Sequence, residues 1–288
     1  MSIGAEQRTE RCPFCDAATV VTRESVSGRP HPAFALGFVI GRAQAAQAVA
    51  RWIRRRKMAP FGLTRAAAER ITGIYLPAYL YSATADSQYR ASIGENYKRL
   101  GIEGDDDGGV VLRRKEKTEY VDLTGRHVAY VADILVTASR SLSNREVEAI
   151  EPFDFGRLRR YSPAIVAGWT SEEPTLSPEE CLRLAKAEAE AWIGHSLHAF
   201  MPGDEVRSLQ HRTQFVDESI DLTLVPVWTF AMRYHPRKPS VRVLVNGQTG
   251  QVGGVIPFSW AKLGLIVLIA VLALATLMVI GIVIASLE

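Results

Sequence analysis

The feature that most constrains this chain is an uncharged apolar segment near its C-terminus. Residues 263–285 carry no charged side chain, and only Gly264, Thr276 and Gly281 interrupt the apolar run. A helix of these 23 residues would extend roughly 34 Å at about 1.5 Å per residue, enough to cross a hydrocarbon core of about 30 Å with some tilt. A buried core helix would need a further element to pack against. The segment therefore predicts one transmembrane helix.

The charges on either side of this segment predict its orientation. In the printed sequence Glu288 is the one charged residue after the apolar run, whereas the flank before it carries five cations: Arg233, Arg237, Lys238, Arg242 and Lys262. Lys and Arg beside a membrane span are retained on the cytoplasmic side, and residues 1–10 lack the apolar run of a signal peptide. We therefore expect a single-pass protein whose soluble region is cytoplasmic.

Two segments of the soluble region share one pattern, Leu76-Pro-Ala-Tyr-Leu-Tyr and Val225-Pro-Val-Trp-Thr-Phe. Their β-branched and aromatic residues predict a strand in each, with the proline near the start or at a sheet edge. Residues 178–200 show helical periodicity, and Ser177 with Glu180 forms a capping-box pattern ahead of them. These patterns predict an α+β fold of two related small units, each an antiparallel sheet with a helix.

The predicted units follow one another along the chain, after a cysteine knuckle and before the membrane helix. The expected boundaries are 1–30 for the knuckle, 31–140 for the first unit, 141–175 for a connector, 176–258 for the second unit and 263–285 for the transmembrane helix.

Turn signals divide both units further. In the first unit we expect a hairpin with strands 110–123 and 127–137 around a Thr124-Gly125 turn, and a mobile loop at residues 101–109, which are rich in Gly and Asp. In the second unit the expected strands are 206–215, 220–234 and 241–245, and Asn246-Gly247 closes the last of them as a turn dipeptide.

Cys12-Pro-Phe-Cys15 has the spacing at which two thiolates can bind one zinc ion. A structural zinc site needs four ligands, and the nearest further candidate is His31, sixteen residues beyond Cys15. The residues leave three alternatives open. His31 completes a site within the chain, two knuckles share one zinc across a homodimer or with a partner, or the knuckle binds no metal.

A basic run with a tryptophan lies in a helix predicted over residues 43–57: Arg51, Trp52, Arg54, Arg55, Arg56 and Lys57. Such a cluster can bind anionic lipid or nucleic acid, or it can be a solvated helix face on which Trp52 and Ile53 pack inward. A net charge of only +3 argues against a large phosphate footprint. We therefore expect a lipid-facing basic patch and do not expect nucleic acid as a partner, although a nucleic-acid-binding knuckle protein is the alternative function.

No coherent catalytic constellation is visible in the sequence. It contains no Gly-x-x-x-x-Gly-Lys-Ser/Thr phosphate loop, and His195 with His198 is better explained as an exposed helix end than as a metal pair. We expect a protein that is not an enzyme. The alternative is a site assembled from distant residues such as His127, His211 and Asp217.

Several segments resemble a bacterial family of membrane-anchored zinc-ribbon proteins that are often mislabelled as primosomal helicase-like or transcription-factor-B-type zinc ribbon proteins. The matching segments are Cys12 to Cys15, Trp52 before the basic run and Pro60, Gly73 to Tyr79 with Tyr89, Glu151 to Asp154, Ala167 to Trp169, Gly203 to Glu205, Leu224 to Trp228, and Val245 to Gly250 with Gly254 and Pro257. Relatives usually carry two cysteine pairs, whereas one pair is present here.

The resemblance implies a function without catalysis, because the family has no established enzymatic activity. Some relatives are similar to membrane partners of flotillin-like and phage-shock-type proteins in envelope maintenance. The expected protein is thus an adaptor or scaffold of the bacterial inner membrane that binds a protein partner.

Overall fold

The computed structural model describes residues 9–11, 18–20, 31–65, 68–104 and 110–285. It is a mixed α+β fold, as predicted. The α-helices of the described residues are α1 (Arg42–Arg55), α2 (Phe61–Arg65), α3 (Asn144–Glu148), α4 (Pro163–Val166), α5 (Pro178–Phe200) and α6 (Trp260–Ala285), and a short 3-10 helix spans Phe155–Arg157.

The strands are mostly short, but three of them are 28 residues or longer. In chain order they are β1 (Thr9–Arg11), β2 (Ala18–Val20), β3 (Phe34–Ala35), β4 (Ala68–Gly104), β5 (Val110–Thr137), β6 (Arg159–Arg160), β7 (Thr170–Ser171), β8 (Glu205–Met232), β9 (Val241–Asn246) and β10 (Val252–Gly254). Strands β1 and β2 form a separate antiparallel pair.

The chain forms two compact units that are discontinuous in sequence. The first contains residues up to Ala78, Thr137–Thr175 and Leu222–Glu288, and the second contains Tyr79–Val136 and Leu176–Asp221. These units differ from the consecutive ranges 31–140 and 176–258 expected from the sequence. The long strands β4 and β8 contribute residues to both units, which local sequence patterns do not reveal.

In the first unit, helix α1 packs on a sheet in which β10, β9, β8, β3 and β6 are neighbours in that order. Its buried residues, Ala45, Ala48, Val49 and Ile53, recur at the spacing of one helical face. They contact apolar side chains of β8 and β9, including Phe230 and Val243. Each fully buried Val or Ile contributes about 1.5–3 kcal/mol to folding, so this face fixes α1 on the sheet.

In the second unit, α5 supplies a buried row at intervals of four residues: Cys181, Ala185, Ala189, Ile193 and Leu197. The predicted capping box is present, since Ser177 Oγ accepts from Glu180 N at 3.2 Å and a Glu180 carboxylate oxygen accepts from Ser177 N at 3.0 Å. The expected helix over 178–200 is confirmed in type and in both ends.

Buried and more exposed side chains alternate along strand β4, as expected of a sheet with one covered face. In the second unit its buried side chains are Tyr79, Tyr81, Ala83, Ala85, Ser87 and Ala91. β4 pairs with both β5 and β8, and Tyr81 Oη donates to Glu218 of β8 at 2.9 Å. Burial and this hydrogen bond raise the pKa of Tyr81 above its ordinary value.

The prediction of a turn at Thr124-Gly125 is wrong, because β5 runs without a break from Val110 to Thr137. Gly125 is required for a different reason. A Cβ at this position would lie 2.6 Å from the hydroxyl of Tyr89, so the glycine accommodates a tyrosine of the neighbouring strand rather than a turn.

Two further boundaries differ from the prediction. Residues 206–215 and 220–232 belong to one strand, β8, and not to two, and this strand ends at Met232, two residues before the predicted end. Residues 101–104 of the expected loop are the end of β4, while residues 105–109 lie outside the described residues. The polar residues within 216–219 and 101–104 suggested a break in the strand. They are compatible with an extended strand that has one exposed face.

The two prolines of the shared pattern lie within long strands and not near their starts. Pro226 precedes Val227, at which the pairing of β8 with β9 begins, and its carbonyl oxygen accepts from Gly247 N at 2.8 Å. Pro77 accepts likewise from Ala138 N at 2.9 Å. A proline is tolerated in a strand where no ladder partner requires its missing N–H group.

Helix α6 is long and apolar enough to cross a membrane. Its candidate span, Trp260–Ile280, has 21 residues and a mean hydropathy of 3.1, and the rest of the described structure buries none of it. The predicted helix over 263–285 is therefore confirmed, and the structure begins it three residues earlier.

Candidate membrane-surface site

The predicted basic run forms the C-terminal end of α1 and the turn after it. Arg54 and Arg55 lie in the last helical turn, and Arg56 is the C-cap residue, whose N–H donates to Ile53 O at 3.0 Å. The side chains of Arg51, Arg54, Arg55, Arg56 and Lys57 are exposed. Cations in this position oppose the negative pole of the helix dipole, so the run also stabilises the end of α1.

Trp52 anchors the run to the core of the first unit. Its ring packs against the buried cluster around α1 and β9, and the guanidinium carbon of Arg56 lies 5.0 Å from the ring centroid. Trp52 and Ile53 pack inward, as the alternative of a solvated helix face describes, and this packing does not decide what the cations face. The outward cations and the inward tryptophan coexist, because they occupy different faces of one helix.

Hydrogen bonds to backbone oxygens of the segment after α1 connect the basic run to the start of α6. Ser259 N donates to Met58 O at 3.0 Å, and Lys262 Nζ donates to Lys57 O at 3.1 Å. Ser259 also caps α6, since its hydroxyl accepts from Lys262 N at 3.3 Å. The polar head of α6 and the end of the basic run are thus one local structure.

Aromatic side chains accompany the cations at this point. Trp260 is 75% exposed and its ring centroid lies 5.2 Å from that of Phe258. The ammonium of Lys262 lies 4.7 Å from the centroid of Phe61, which is itself exposed. We call this set the juxtamembrane surface: Arg55, Arg56, Lys57, Phe61, Phe258, Trp260 and Lys262.

Sequence reasoning identified the cations of this surface but missed its aromatic residues. Phe258 and Trp260 immediately precede the apolar run, and aromatic rings are enriched at membrane interfaces, so this signal was available. Phe61 was not predictable in the same way, because it lies about two hundred residues from α6 in sequence and only the tertiary structure places it beside Lys262.

The predicted metal ligands are not brought together in the described part of the chain. Cys12 and Cys15 lie outside the described residues, and His31 is exposed ahead of β3. Among the residues that the structure describes, no group of three or more His, Cys, Asp or Glu side chains could hold a metal ion. The zinc site remains a prediction from the sequence.

The histidines considered for other sites have local roles. His127 on β5 contacts Phe200, with ring centroids 4.7 Å apart and the rings tilted by 52°, and His211 on β8 contacts Thr213 through Nδ1 at 3.2 Å. Strand β4 pairs with both β5 and β8 and so separates the two histidines. Asp217 has a positive φ of 52°. His195 bonds Ala191 O of its own helix at 2.8 Å.

The one cysteine of α5 is a core residue. Cys181 is fully buried, and burial, with a smaller contribution from the charge of Glu180, raises its pKa to about 11. A thiol with so high a pKa is protonated at neutral pH and is a poor nucleophile.

Three residues of the motifs that carry the family resemblance, Tyr75, Trp169 and Trp228, pack together with Phe38 in the first unit. Phe38 and Trp169 stack with centroids 4.0 Å apart, and both approach Tyr75 and Trp228 edge-on. A Cβ on Gly73 would lie 2.5 Å from a ring carbon of Trp169, so this position requires glycine. These motif residues therefore form a structural cluster.

Asn246, at the end of β9, organises the turn that the sequence predicted there. Its side-chain N–H groups donate to Ile150 O and Pro152 O at 2.9 and 3.0 Å, and its Oδ1 accepts from Gln248 N and Thr249 N at 2.8 and 3.1 Å. The fully buried amide thus joins the β9–β10 loop to the segment after α3.

The described architecture is a mixed α+β body followed by one apolar helix with basic and aromatic residues at its N-terminal end. No family model matches the chain, and no solved structure matches it. It is similar to an uncharacterised protein named YdjG of Bacillus subtilis, with 26% identity over 253 residues that cover 84% of this chain and 68% of that protein.

Proposed function

We propose that this protein is a non-catalytic adaptor of the bacterial inner membrane, tethered by α6, that holds its two units at the cytoplasmic surface for a protein partner. The observation that carries the proposal is the contact between the basic run and the start of α6, in which Lys262 donates to the carbonyl of Lys57. This contact keeps the cations of the first unit at the level where α6 would enter the bilayer.

The juxtamembrane surface has the chemistry that anionic lipid attracts. Each Lys or Arg close to an anionic membrane contributes about 1 kcal/mol of attraction, and exposed aromatic rings favour the headgroup region. Nucleic acid is the alternative polyanion for the basic run. The lipid surface is the stronger candidate, because the same cations adjoin a helix that is apolar enough to span a membrane.

Lipid photocrosslinking tests this position at the membrane. A benzophenone side chain at Phe61 or Phe258, both exposed, is expected to crosslink to phospholipid when the full chain is reconstituted in nanodiscs containing phosphatidylglycerol. The same group at Arg42, an exposed residue at the opposite end of α1 in the first unit, serves as the control. Equal lipid adducts at all three positions, or none at Phe61 and Phe258, would contradict the proposal.

The second unit offers an apolar surface to a partner. His127 faces α5, since it contacts Phe200. Because side chains alternate along β5, Val128 and Tyr130 share the other face of the strand. Val128 and Tyr130 are 56% and 65% exposed. Two large apolar side chains together on an uncovered sheet face favour a docking function. The resemblance suggests a flotillin-like or phage-shock-type partner.

Crosslinking in living cells tests the adaptor role. A benzophenone at Tyr130 is expected to capture one recurrent protein, and the substitution Val128→Asp should abolish that adduct while leaving the protein in the membrane fraction. A matched substitution, Gln210→Asp on the exposed part of β8, should leave the adduct unchanged. Recovery of only lipid at Tyr130 would contradict the adaptor role and leave the membrane tether intact.

A further inference from the structure

An open cavity lies between the C-terminal end of α1 and the end of the β9–β10 loop with strand β10, all in the first unit. Its volume is about 680 Å³, and Arg51, Arg55 and Arg56 line it on one side, with residues 250–254 on the other. No Asp or Glu is among the described residues that line it. Three guanidinium groups around one cavity favour an anion with several oxygen atoms, such as a phosphate.

The local electric field also favours an anion. The C-terminal end of α1 carries a partial negative charge equivalent to about half an elementary charge, which three full positive charges exceed. Arg56 is held in place, because its guanidinium carbon lies 5.0 Å from the centroid of the Trp52 ring. A guanidinium already held in position loses less conformational entropy when it binds an anion.

The loop wall of the cavity is built largely from backbone. Gly250, Gly253 and Gly254 line it with backbone atoms alone, and Gln251 and Val252 lie between them. Gly250 adopts a φ of +76°, which favours glycine at that position. Strand β10 pairs only with β9 among the described strands and is therefore an edge strand.

A second cavity adjoins the first and extends towards the membrane helix. Its volume is about 460 Å³, and it shares Arg55, Arg56 and Gly254 with the first cavity. Its other lining residues include Met58, Ile256 and Phe258, which are apolar. Phe258 contacts Trp260 at the start of α6. A polar anion site thus continues into an apolar path at the expected level of the bilayer.

We propose that the two cavities bind one anionic phospholipid, with its headgroup phosphate between Arg51, Arg55 and Arg56 and the start of its acyl chains against Met58, Ile256 and Phe258. The apolar side chains of the second cavity favour a lipid over a free phosphate, because a free phosphate has no apolar part that could contact them. This proposal rests on the proposed position of the juxtamembrane surface at the membrane, and it adds a defined site for a single lipid.

Native mass spectrometry of the full chain in neutral detergent tests the site. With phosphatidylglycerol added, we expect one retained lipid per chain, and phosphatidylcholine should be retained about tenfold less. Arg55→Gln removes a cavity cation, and Gln251→Glu places a carboxylate in the cavity with little change of shape. Both should lower phosphatidylglycerol occupancy about tenfold. Circular dichroism confirms that each variant is folded.

Two further substitutions separate a defined site from diffuse attraction. Arg42→Gln, at the exposed start of α1 and far from either cavity, provides the matched charge control and should retain the lipid. Arg54→Gln removes a cation of the run that lines neither cavity, and its loss should be clearly smaller than that of Arg55→Gln. Equal losses of bound lipid in Arg54→Gln and Arg55→Gln would overturn the defined site.

Competition identifies the source of the phosphate. Millimolar inorganic phosphate or glycerol 3-phosphate should leave the bound phosphatidylglycerol in place, and displacement by either would show that a free anion is the ligand and overturn the lipid assignment. Lipid crosslinking at Phe61 and Phe258 is measured on the same variants. If this crosslinking persists although mass spectrometry detects no retained lipid, the defined lipid site is wrong and the proposed position at the membrane stands.

Discussion

Lys262, in the first turn of α6, donates a hydrogen bond of 3.1 Å from Nζ to the main-chain oxygen of Lys57. The same ammonium lies over the ring of Phe61. One side chain thus joins α6 to two positions of the segment that follows α1. This arrangement explains why a basic run more than two hundred residues before the apolar helix in sequence belongs to the same surface.

The aromatic cluster of the first unit should be sensitive to a single methyl group. Gly73→Ala would place a Cβ 2.5 Å from Trp169 and 3.1 Å from Trp228, and overpacking of this kind costs about 1–3 kcal/mol. We expect a lower thermal midpoint and an altered near-ultraviolet circular dichroism of the tryptophans. Gly37→Ala is the control, since no atom lies within 4 Å of its added Cβ. Equal midpoints for both variants would contradict this account.

Asn246 should not tolerate a change of its amide to a carboxylate. In Asn246→Asp an oxygen would face the carbonyl oxygens of Ile150 and Pro152, where the amide now donates two hydrogen bonds. Loss of a buried donor costs about 1–3 kcal/mol for each unsatisfied partner. Chemical denaturation should show this destabilisation at neutral pH. The same chemical change at the exposed Gln210 should alter the free energy of unfolding by less than about 0.5 kcal/mol.

The pair of Glu146 and Arg242 should make stability depend on pH. Their contact is 2.5 Å and both side chains are more than two-thirds buried. Burial alone would raise the pKa of Glu146, but hydrogen bonds from Ser143 and the charge of Arg242 outweigh it and hold that pKa below its usual value. A lowered folded pKa stabilises the protein above the unfolded value of about 4.3, and this stabilisation is lost as the pH falls through the folded value.

Glu146→Gln tests this dependence by urea denaturation across pH. We expect a loss of about 1–3 kcal/mol at pH 7, which diminishes as the pH falls below about 4. Glu116→Gln is the control, because its pair with Lys98 is largely exposed and such pairs contribute about 0–1 kcal/mol. A difference between Glu146→Gln and the parent protein that is constant over pH 3–7 would contradict the assigned cause.

Metal content per chain tests the zinc prediction, which depends on Cys12 and Cys15. One zinc per two chains, together with a dimeric mass in detergent, would support two shared knuckles. One zinc per chain, lost in His31→Ala, would support His31 as a ligand. Cys12→Ser should release the metal in either case, and absence of zinc from the parent protein purified without chelators would show that the knuckle binds none.

The features that the sequence predicted correctly depend on neighbours along the chain. The apolar run of α6, the helix α5 with its Ser177 cap, and the turn after Asn246 are each set by residues within one or two turns of one another. Their periodicity, capping and turn preferences operate over that distance, so no tertiary contact is needed to recognise them.

The misjudged features depend on partners distant in sequence. Gly125 follows a threonine and suggests a turn, but the ring of Tyr89 on the adjacent strand determines why glycine is there. The long strands β4 and β8 likewise continue through polar residues, because hydrogen bonds to neighbouring strands satisfy the backbone whatever the local side chains are.

The sequence by itself thus determined that the chain has one membrane-spanning candidate, a basic run and an α+β body. Only the tertiary structure decided that the basic run meets the start of α6, that Phe61 lies beside Lys262, and that aromatic residues of four separate segments form one cluster. The physical reason is that hydrophobicity and charge are properties of single residues and local periods, whereas these contacts follow from strand pairing and packing between residues far apart in the chain.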